Sequence, residues 1–521
     1  MIPADKYYLK IGKAPDLKNL KERMLYRAFE IVPGALAWLT LLSVIFLSWY
    51  KPVWVAFFII TFDIYWLLKT IYLSFYLRSS YKNMKKQLKI DWLGKVKLVK
   101  HKDWQDIYHL IVAPIYKEPV GVVRLTLEAI INSDYPKDKM IIALGIEERA
   151  GQPARNLAQK IKKQYQDKFY KLIITTHPQD IVGEMPGKGS NITWIARQVK
   201  KEIIDPLKIP YENIVVSCFD IDTRVYPQYF SCLTYHYLTV KKPTRTSYQP
   251  IPIYNNNIWQ APAISRVVAT SGTFWQMMQQ TRLERLSSFS SQSISWQALV
   301  EVDFWPVNMV SEDSRIFWQN LLYYDGDYKV IPLNYPVSMD ANLAPNFFRT
   351  AVNVYNQQKR WGWGVENIPY LSFGFWKNKK IAFKMKWHWI WIQIEGFWSW
   401  ATNAILIFLL GWLPLFLGGQ RFNITLLSYN LPRLTRTLMT LAMVGLIGSA
   451  IYSTLLLPQR PKQFGFFKYL SMMVQWILVP FTILIFGAIP GLESQTRLML
   501  GKYMGFWVTP KHKKRRNKNG R

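Results

Sequence analysis

Residues 214–222 read IVVSCFDID and place a short apolar run directly before two aspartates. The run has no polar alternation, which is typical of a strand buried on both faces of a parallel sheet. Ligands bind beyond the carboxyl ends of such strands. The i, i+2 spacing of Asp220 and Asp222 lets both carboxylates face one metal ion or one sugar phosphate. The stretch therefore predicts both the sheet and its ligand site.

Similar apolar runs and intervening helical patterns come before this stretch. Strands are predicted at 107–114, 140–146, 172–175 and 214–219, with helices at 120–132, 155–170 and 191–204. Strands that alternate with helices of about 10–15 residues predict βαβ units and a mainly parallel sheet. The serine-rich run 287–295, SSFSSQSIS, is predicted to be a mobile loop.

The composition of the 521 residues narrows the class of protein. Half of them are hydrophobic and 16% are aromatic, which excludes a disordered chain. The formal charge of +33 predicts an anionic partner, either nucleic acid, phospholipid headgroups or a phosphorylated substrate. The aromatic residues concentrate near apolar stretches rather than among the basic residues, which argues against nucleic acid. Cys218 and Cys232 are too few for a disulfide scaffold, have no histidines at ligand spacing for zinc, and are predicted to be buried thiols.

Apolar stretches long enough to cross a bilayer lie on both sides of the soluble block. They are residues 31–50, 53–77, 389–419, 437–457 and 469–492. Because lysines and arginines crowd the ends of the block, we expect a multi-pass protein with this block in the cytoplasm. Three later spans would put the basic tail, 511–516, on the far side. Either the stretch 389–419 crosses more than once, or the last stretch is re-entrant or interfacial.

These patterns predict six segments along the chain. They are an N-terminal cytoplasmic segment (1–30), two transmembrane helices (31–77), a cytoplasmic α/β domain (78–370), an interfacial amphipathic segment (371–391), about three or four transmembrane helices (392–492) and a basic tail (493–521).

Carboxylates gather where the predicted strands end, although the chain as a whole is strongly cationic. Glu118, Glu147 and the aspartate pair each follow a strand. Such acids repel one another unless a cation lies among them, and a divalent metal fits. Glycines beside Lys188 would let the backbone approach a phosphate, although a helix cap explains the segment equally well. Its spacing is not that of a P-loop.

Taken in order, these motifs resemble those of membrane-integrated glycosyltransferases of family 2, which include cellulose, chitin and hyaluronan synthases. The matching segments are Pro114-Ile115-Tyr116-Lys117-Glu118, Lys188 with Asn191, Asp220 with Asp222, Ser271-Gly272-Thr273, Ser311-Glu312-Asp313, and Gln357, Arg360 and Trp361. One departure is that Glu147-Glu148-Arg149 stands where the family usually has Asp-Asp-Gly.

The resemblance implies a GT-A fold and inverting transfer from a nucleotide sugar, preferably a UDP-sugar, assisted by Mg²⁺ or Mn²⁺. Asp313, next to Glu312, would be the general base, and Asp222 with Asp220 would hold the metal. The remaining roles are phosphate contacts by Lys188 and Arg360, donor contacts by Tyr116, Glu118, Glu147, Asn191 and Gln357, and acceptor contacts by Gly272, Thr273 and Trp361.

The acceptor and the number of additions stay open at this stage. The motif that matches Gln357, Arg360 and Trp361 occurs both in processive polysaccharide synthases and in enzymes that add one sugar to a lipid. A transporter with a nucleotide-binding domain and an inactive scaffold are alternatives of other classes. The spans offer few charged residues for transport, and the aspartates expected of an active enzyme are present.

Overall fold

A computed structural model describes residues 2–509, and its centre is one eight-stranded sheet. The strands are β1 (Tyr108–Ile115), β2 (Met140–Glu147), β3 (Lys171–His177), β4 (Ile214–Cys218), β5 (Arg224–Val225), β6 (Thr246–Ile253), β7 (Ser293–Ser295) and β8 (Lys329–Ser338). Their order is β3-β2-β1-β4-β7-β6-β8-β5. The first four are parallel, as are β6 and β8, whereas β7 and β5 run antiparallel to their neighbours.

Nineteen α-helices are present among the described residues. They are α1 (Leu20–Tyr50), α2 (Pro52–Gln87), α3 (Trp92–Lys97), α4 (Val120–Ile131), α5 (Gly151–Tyr165), α6 (Lys188–Val199), α7 (Tyr229–Thr239), α8 (Ala263–Gln279), α9 (Trp296–Glu301), α10 (Glu312–Tyr323), α11 (Phe347–Gly362), α12 (Asn367–Lys377), α13 (Phe383–Ile405), α14 (Leu413–Leu417), α15 (Gly419–Asn423), α16 (Leu426–Leu455), α17 (Phe466–Val474), α18 (Val479–Ile483) and α19 (Ile489–Met499).

Both faces of the sheet are buried, as the uninterrupted apolar runs predict. Alternate residues of β1 belong to different cores, with Leu110 on one face and Ile111 on the other. The order of β1 to β4 reverses direction between β1 and β4, so a crevice opens at their carboxyl ends. Each of the four strands expected from the sequence overlaps an observed strand, and both cysteines are buried as expected.

The other half of the sheet was harder to predict. Strands β6 and β8 each contain two prolines, which normally argue against a strand because proline lacks an N–H to donate. They pair with each other across a register shift between Gln249 and Ile251. The prediction of a mobile loop at 287–295 is wrong, since most of this run is buried and β7 lies between β4 and β6.

Four helical segments among the described residues are long and apolar enough to cross a membrane. They are Leu20–Tyr50, Pro52–Gln87, Leu426–Leu455 and Phe466–Met499. The predicted stretch 389–419 is not among them and begins within α13. Glu395 of this helix pairs with Lys69 of α2 (2.8 Å) and with Arg285 of the soluble block (2.9 Å), so the charges expected in separate spans form one cluster. The basic tail at 511–516 lies outside the described residues.

The ends of the soluble block pack closely against it. Leu9 and Ile11 of the N-terminal segment are buried in the same core as Leu371 and Phe373 of α12. The predicted interfacial segment, 371–391, thus begins inside this core and continues into α13. The proposed segment boundaries otherwise stay predictions.

Gly145 marks a place where β2 and α6 touch. A Cβ on this residue would lie 2.5 Å from Ile195 Cδ1 and against Asn191 Oδ1. We expect Gly145→Ala to destabilise the domain by about 1–3 kcal/mol, because the added methyl overpacks the core. The thermal unfolding midpoint of the purified protein measures this. Gly396→Ala is the control, since the described residues leave open space around that position, and an equal midpoint for both variants would contradict the packing.

Candidate active site

A buried lysine gathers three acids at the carboxyl edge of the sheet. Lys188 begins α6, and its Nζ donates to Asp220 Oδ1 (2.7 Å) and to Asp313 Oδ2 (2.6 Å). Glu312 Oε1 lies 3.8 Å from the same nitrogen. The lysine side chain is only 7% exposed, so its ammonium group is largely shielded from water, whereas the Asp220 side chain is 31% exposed. The sequence predicted a divalent metal ion among the acids at the strand ends; the structure also places the Lys188 ammonium group between Asp220 and Asp313.

Two glycines allow the Lys188 segment to lie this close to its neighbours. A Cβ on Gly189 would be 2.7 Å from the carbonyl oxygen of Pro306. A Cβ on Gly187 would be 2.6 Å from the ring of Phe506, which comes from the segment after α19. Larger residues at either position would push the Lys188 loop away from the acids.

Burial changes the protonation of the two adjacent acids at the start of α10. Burial, followed by the charge of Asp313, raises the pKa of Glu312 to about 8. Burial also raises the pKa of Asp313, while the nearby Lys188 opposes this shift. The ammonium group therefore favours an ionised Asp313 beside a protonated Glu312 at neutral pH. Asp313 Oδ1 is buried and has no hydrogen-bond partner among residues 2–509.

The serine-rich run supports this acid cluster directly. Ser290 Oγ donates to Asp220 Oδ2 (2.7 Å), which is the oxygen not used by Lys188. Ser288 Oγ (2.9 Å) and Gln292 Nε2 (2.7 Å) both donate to the main-chain carbonyl of Asp313. These residues were missed from the sequence, because a serine-rich composition is typical of exposed loops.

Asp222 lies deeper than Asp220. Its side chain accepts from the backbone N–H of Asp340 (2.9 Å), and its carbonyl accepts from Asn256 Nδ2 (3.0 Å). No group of three or more His, Cys, Asp or Glu side chains that could hold a metal occurs in the described part of the chain. A pair of aspartates still fits Mg²⁺ or Mn²⁺, because Mg²⁺ usually binds through one or two carboxylates together with substrate phosphates.

A second group of predicted residues lies at the ends of β1 and β2. Glu118 accepts from the backbone N–H of Tyr116 (2.7 Å). Glu147 forms an ion pair with Arg149, whose guanidinium carbon is 4.8 Å from the centre of the Tyr116 ring. The departure from the usual family pattern therefore supplies a cation that neutralises Glu147. Arg149 was not predicted as a site residue.

Asn191 lies in the packed interior and not on an open binding surface. Its side chain is fully buried, and Nδ2 donates to the carbonyl of Gly145 (3.0 Å). It thereby joins α6 to β2 and holds the helix that carries Lys188.

Trp361, one of the predicted acceptor residues, lines a small pocket near Tyr254, and so does Gln357, which was predicted to contact the donor. Tyr254 and Asp340 line the same pocket. A Cβ on Gly272 would lie 3.8 Å from Trp361, whereas the hydroxyl of Thr273 donates to the carbonyl of Pro252 (3.1 Å).

Tyr254 connects this pocket to the acids. Its pKa is raised, first by burial and then by the charges of Asp220 and Asp222. Trp361 lies 6.2 Å from it, measured between ring centres. The position of Tyr254, directly after β6, could have indicated its role, but β6 was not predicted.

The C-terminal segment closes one side of the site. The guanidinium carbon of Arg360 is 5.1 Å from the centre of the Phe506 ring, and the same ring covers Gly187. Tyr503 anchors the segment by donating to Glu30 Oε2 (2.9 Å). Phe506 was missed because nothing in the order of the chain places it next to residues more than a hundred positions earlier.

One segment of the chain matches a known protein family. Residues 215–415 match the family described as glycosyl transferase family group 2. No curated protein matches the chain. Among solved structures, a mannosyltransferase from Pyrobaculum calidifontis in complex with GDP-Man and Mn²⁺ is 12% identical, with a TM-score of 0.40, and the alignment covers 76% of this chain and 98% of that one.

A second solved structure is TarS, residues 1–349, from S. aureus in complex with UDP. It is 8% identical with a TM-score of 0.36, and the alignment covers 67% of this chain and 91% of that one.

The acids therefore meet at the carboxyl edge of an α/β domain with a mainly parallel sheet, which is the fold class that the sequence predicted. The matched segment includes most of β4, all of α10 and the Arg360-Trp361 pair. This match of residues 215–415 supports a glycosyltransferase.

Proposed function

We propose that this glycosyltransferase moves a sugar from a nucleotide-sugar donor to an acceptor hydroxyl in one displacement, with inversion at the anomeric carbon. The observation that carries the proposal is the position of Asp313. One of its oxygens is held by Lys188 at 2.6 Å, and the other is buried without a hydrogen-bond partner in the described part of the chain. That second oxygen can accept the proton of an acceptor hydroxyl.

The transfer forms one bond at the anomeric carbon and breaks another. The acceptor oxygen forms a bond to the anomeric carbon as its proton passes to Asp313. The bond from that carbon to the diphosphate oxygen breaks, and the electron pair leaves with the nucleoside diphosphate. Glu312, protonated and adjacent, adds no second negative charge to the site.

The departing diphosphate needs positive charge close to it. Asp220 and Asp222 are the residues that would hold Mg²⁺ or Mn²⁺, which supplies this charge when bound. Arg360, partly exposed beside Phe506 and close enough to Asp313 to lower its pKa, is a permanent cation that would face the diphosphate. Lys188 keeps Asp220 and Asp313 together and prevents their mutual repulsion.

The Glu147–Arg149 pair supports a donor with a keto base. A carboxylate accepts hydrogen bonds and a guanidinium only donates them. Uracil presents a carbonyl oxygen next to an N–H, which matches this order, and guanine does the same. Adenine and cytosine instead present an N–H₂ group next to a ring nitrogen that accepts, so their donor and acceptor are exchanged relative to uracil. A UDP-sugar is the favoured donor, with GDP-sugars next.

The apolar helices support a membrane location. If each of the four candidate segments crosses once, two precede and two follow the catalytic domain, so both chain ends lie on its side of the bilayer. The lysines and arginines at the edges of the domain favour the cytoplasm. The acceptor is a growing glycan or a lipid held at the interface. A ladder of product lengths would indicate a polymer, and a single glycolipid would indicate one addition.

Donor screening tests this function. We expect the purified protein in lipid to release nucleoside diphosphate fastest from UDP-sugars, more slowly from GDP- or dTDP-sugars, and least from ADP- or CDP-sugars. Arg149→Ala should reduce the difference between keto and amino bases. If a folded preparation released no diphosphate from any of these donors with glycan or lipid acceptors, the proposed function would be wrong.

A further inference from the structure

Helix α10, which carries the proposed base, is held at its start by a carboxylate from another part of the chain. Ser311 precedes the helix, and its side chain caps no backbone N–H in the described structure. Instead, Glu366 Oε1 accepts from the backbone N–H groups of Ser311 (2.9 Å) and Val310 (3.2 Å). A negative charge at this end of a helix is also favoured by the helix dipole.

The second oxygen of Glu366 is fixed as well. Oε2 accepts from Trp363 Nε1 (2.9 Å), and the carboxylate is almost fully buried with 6% of the residue exposed. The hydrogen-bond partners that residues 2–509 supply to the two oxygens are donors, so the site requires a group that only accepts. Trp363 lies two residues after Trp361, so Glu366 ties the turn after α11 to the turn that holds Asp313.

The next residues extend the same connection. Arg315 donates to Asn367 Oδ1 (2.6 Å) and to the carbonyl of Glu366 (3.1 Å). Asn367 Nδ2 in turn donates to Ser314 Oγ (2.9 Å). The first turn of α10 is therefore held on both sides of Asp313 by the pair Glu366 and Asn367.

We propose that Glu366 is a positioning residue for the transfer reaction, which sets the place of the Asp313 carboxylate through the backbone of Ser311. This inference rests on the proposed function, in which Asp313 is the base. A displacement of about 1 Å in a reacting group can lower a rate by about 100-fold. Glu366 contacts neither Lys188 nor the predicted donor residues, so its loss should affect turnover more than donor binding.

Two substitutions separate positioning from packing. Glu366→Gln keeps the shape of the side chain. Its amide N–H₂ group must face either the backbone N–H groups of Ser311 and Val310 or the indole N–H of Trp363, and all of these groups are donors. Glu366→Asp keeps two accepting oxygens and shortens the side chain. A positioning carboxylate predicts that the Gln variant is more impaired than the Asp variant, and a packing role predicts the reverse order.

The experiment measures kcat and donor KM by nucleoside diphosphate release from the full chain in lipid. We expect Glu366→Gln to lower kcat by about 100-fold and Glu366→Asp by about 10-fold, with donor KM within about threefold of wild type. Glu301→Gln is the matched control, since Glu301 accepts from Tyr324 OH away from the acids, and it should keep the wild-type kcat.

Each result decides the proposal. A Glu366→Gln enzyme within about threefold of wild-type kcat, or one less impaired than Glu366→Asp, overturns it. If Glu366→Gln does not fold, Glu366→Asp is the test. A lowered kcat at constant donor KM in this variant supports the positioning role, and an unchanged kcat contradicts it. Asp313→Asn in the same assay separates the two hypotheses. Near-normal turnover of Asp313→Asn would show that Asp313 is not the base. If Asp313→Asn is inactive and Glu366→Gln is unimpaired, Asp313 stays the proposed base and only the positioning role of Glu366 is wrong.

Discussion

Asp313→Asn is expected to lower sugar transfer by about 10³-fold while leaving donor binding close to that of the wild type. The amide has nearly the same shape as the carboxylate but cannot take a proton from the acceptor hydroxyl. Lys188 keeps its contact with Asp220 (2.7 Å), so the donor side of the site should stay in place. Turnover is measured by nucleoside diphosphate release, and donor affinity by calorimetric titration of the same preparation.

Asp205→Asn is the matched control for this substitution. Asp205 pairs with Lys200 (2.6 Å) on an exposed part of the surface, so its loss should leave turnover unchanged. An Asp313→Asn enzyme with near-normal turnover would show that another group accepts the proton.

The pH dependence follows from the same residue. The base must be ionised, so activity falls as the pH drops through the pKa of Asp313. Because burial raises that pKa, the fall should begin at a higher pH than for an exposed aspartate. The acid limb of kcat/KM in the wild-type enzyme reports this group.

The four parallel strands could be predicted because their apolar runs are short, unbroken and rich in isoleucine and valine. Strands β6 and β8 could not, since their prolines lower strand propensity and only their mutual pairing compensates. Ser293 could not be predicted to lie in a strand either, because the sequence around it is typical of a loop, whereas it lies in the middle of the sheet. Residues whose structure depends on distant partners do not reveal it through local patterns.

For the site, the order of motifs predicted which acids matter but not what holds them. Lys188 begins α6 after β3, Asp220 follows β4, and Asp313 lies in the first turn of α10. The rule that strand ends share one edge predicts that the first two lie close together, but it does not apply to Asp313. The support from Ser290 and Glu366 depends on tertiary contacts, with no spacing in the sequence to indicate it. Arg149 was visible as a departure from the family pattern, yet its pairing with Glu147 required the fold.

Removal of divalent cations is expected to stop transfer, with a loss of about 10³-fold in the presence of EDTA and recovery on addition of Mn²⁺ or Mg²⁺. The reason is that the leaving diphosphate carries several negative charges, and Lys188 is already paired with Asp220 and Asp313. Among the residues predicted to contact phosphate, this leaves Arg360 as the cation proposed to face the diphosphate. Asp222→Asn should give a similar loss with metal present, because one carboxylate of the pair is neutralised.

Binding of Mn²⁺ in the presence of UDP, followed by electron paramagnetic resonance, separates a metal effect from a folding effect. Asp222→Asn should weaken this binding, whereas Asp327→Asn, at an exposed pair with Lys242 and Arg245, should not. Since the described residues contain no group of three acidic, histidine or cysteine ligands, the ion should bind more tightly with UDP than without it. Full turnover in EDTA would show instead that Arg360 and other protein cations suffice for the leaving group.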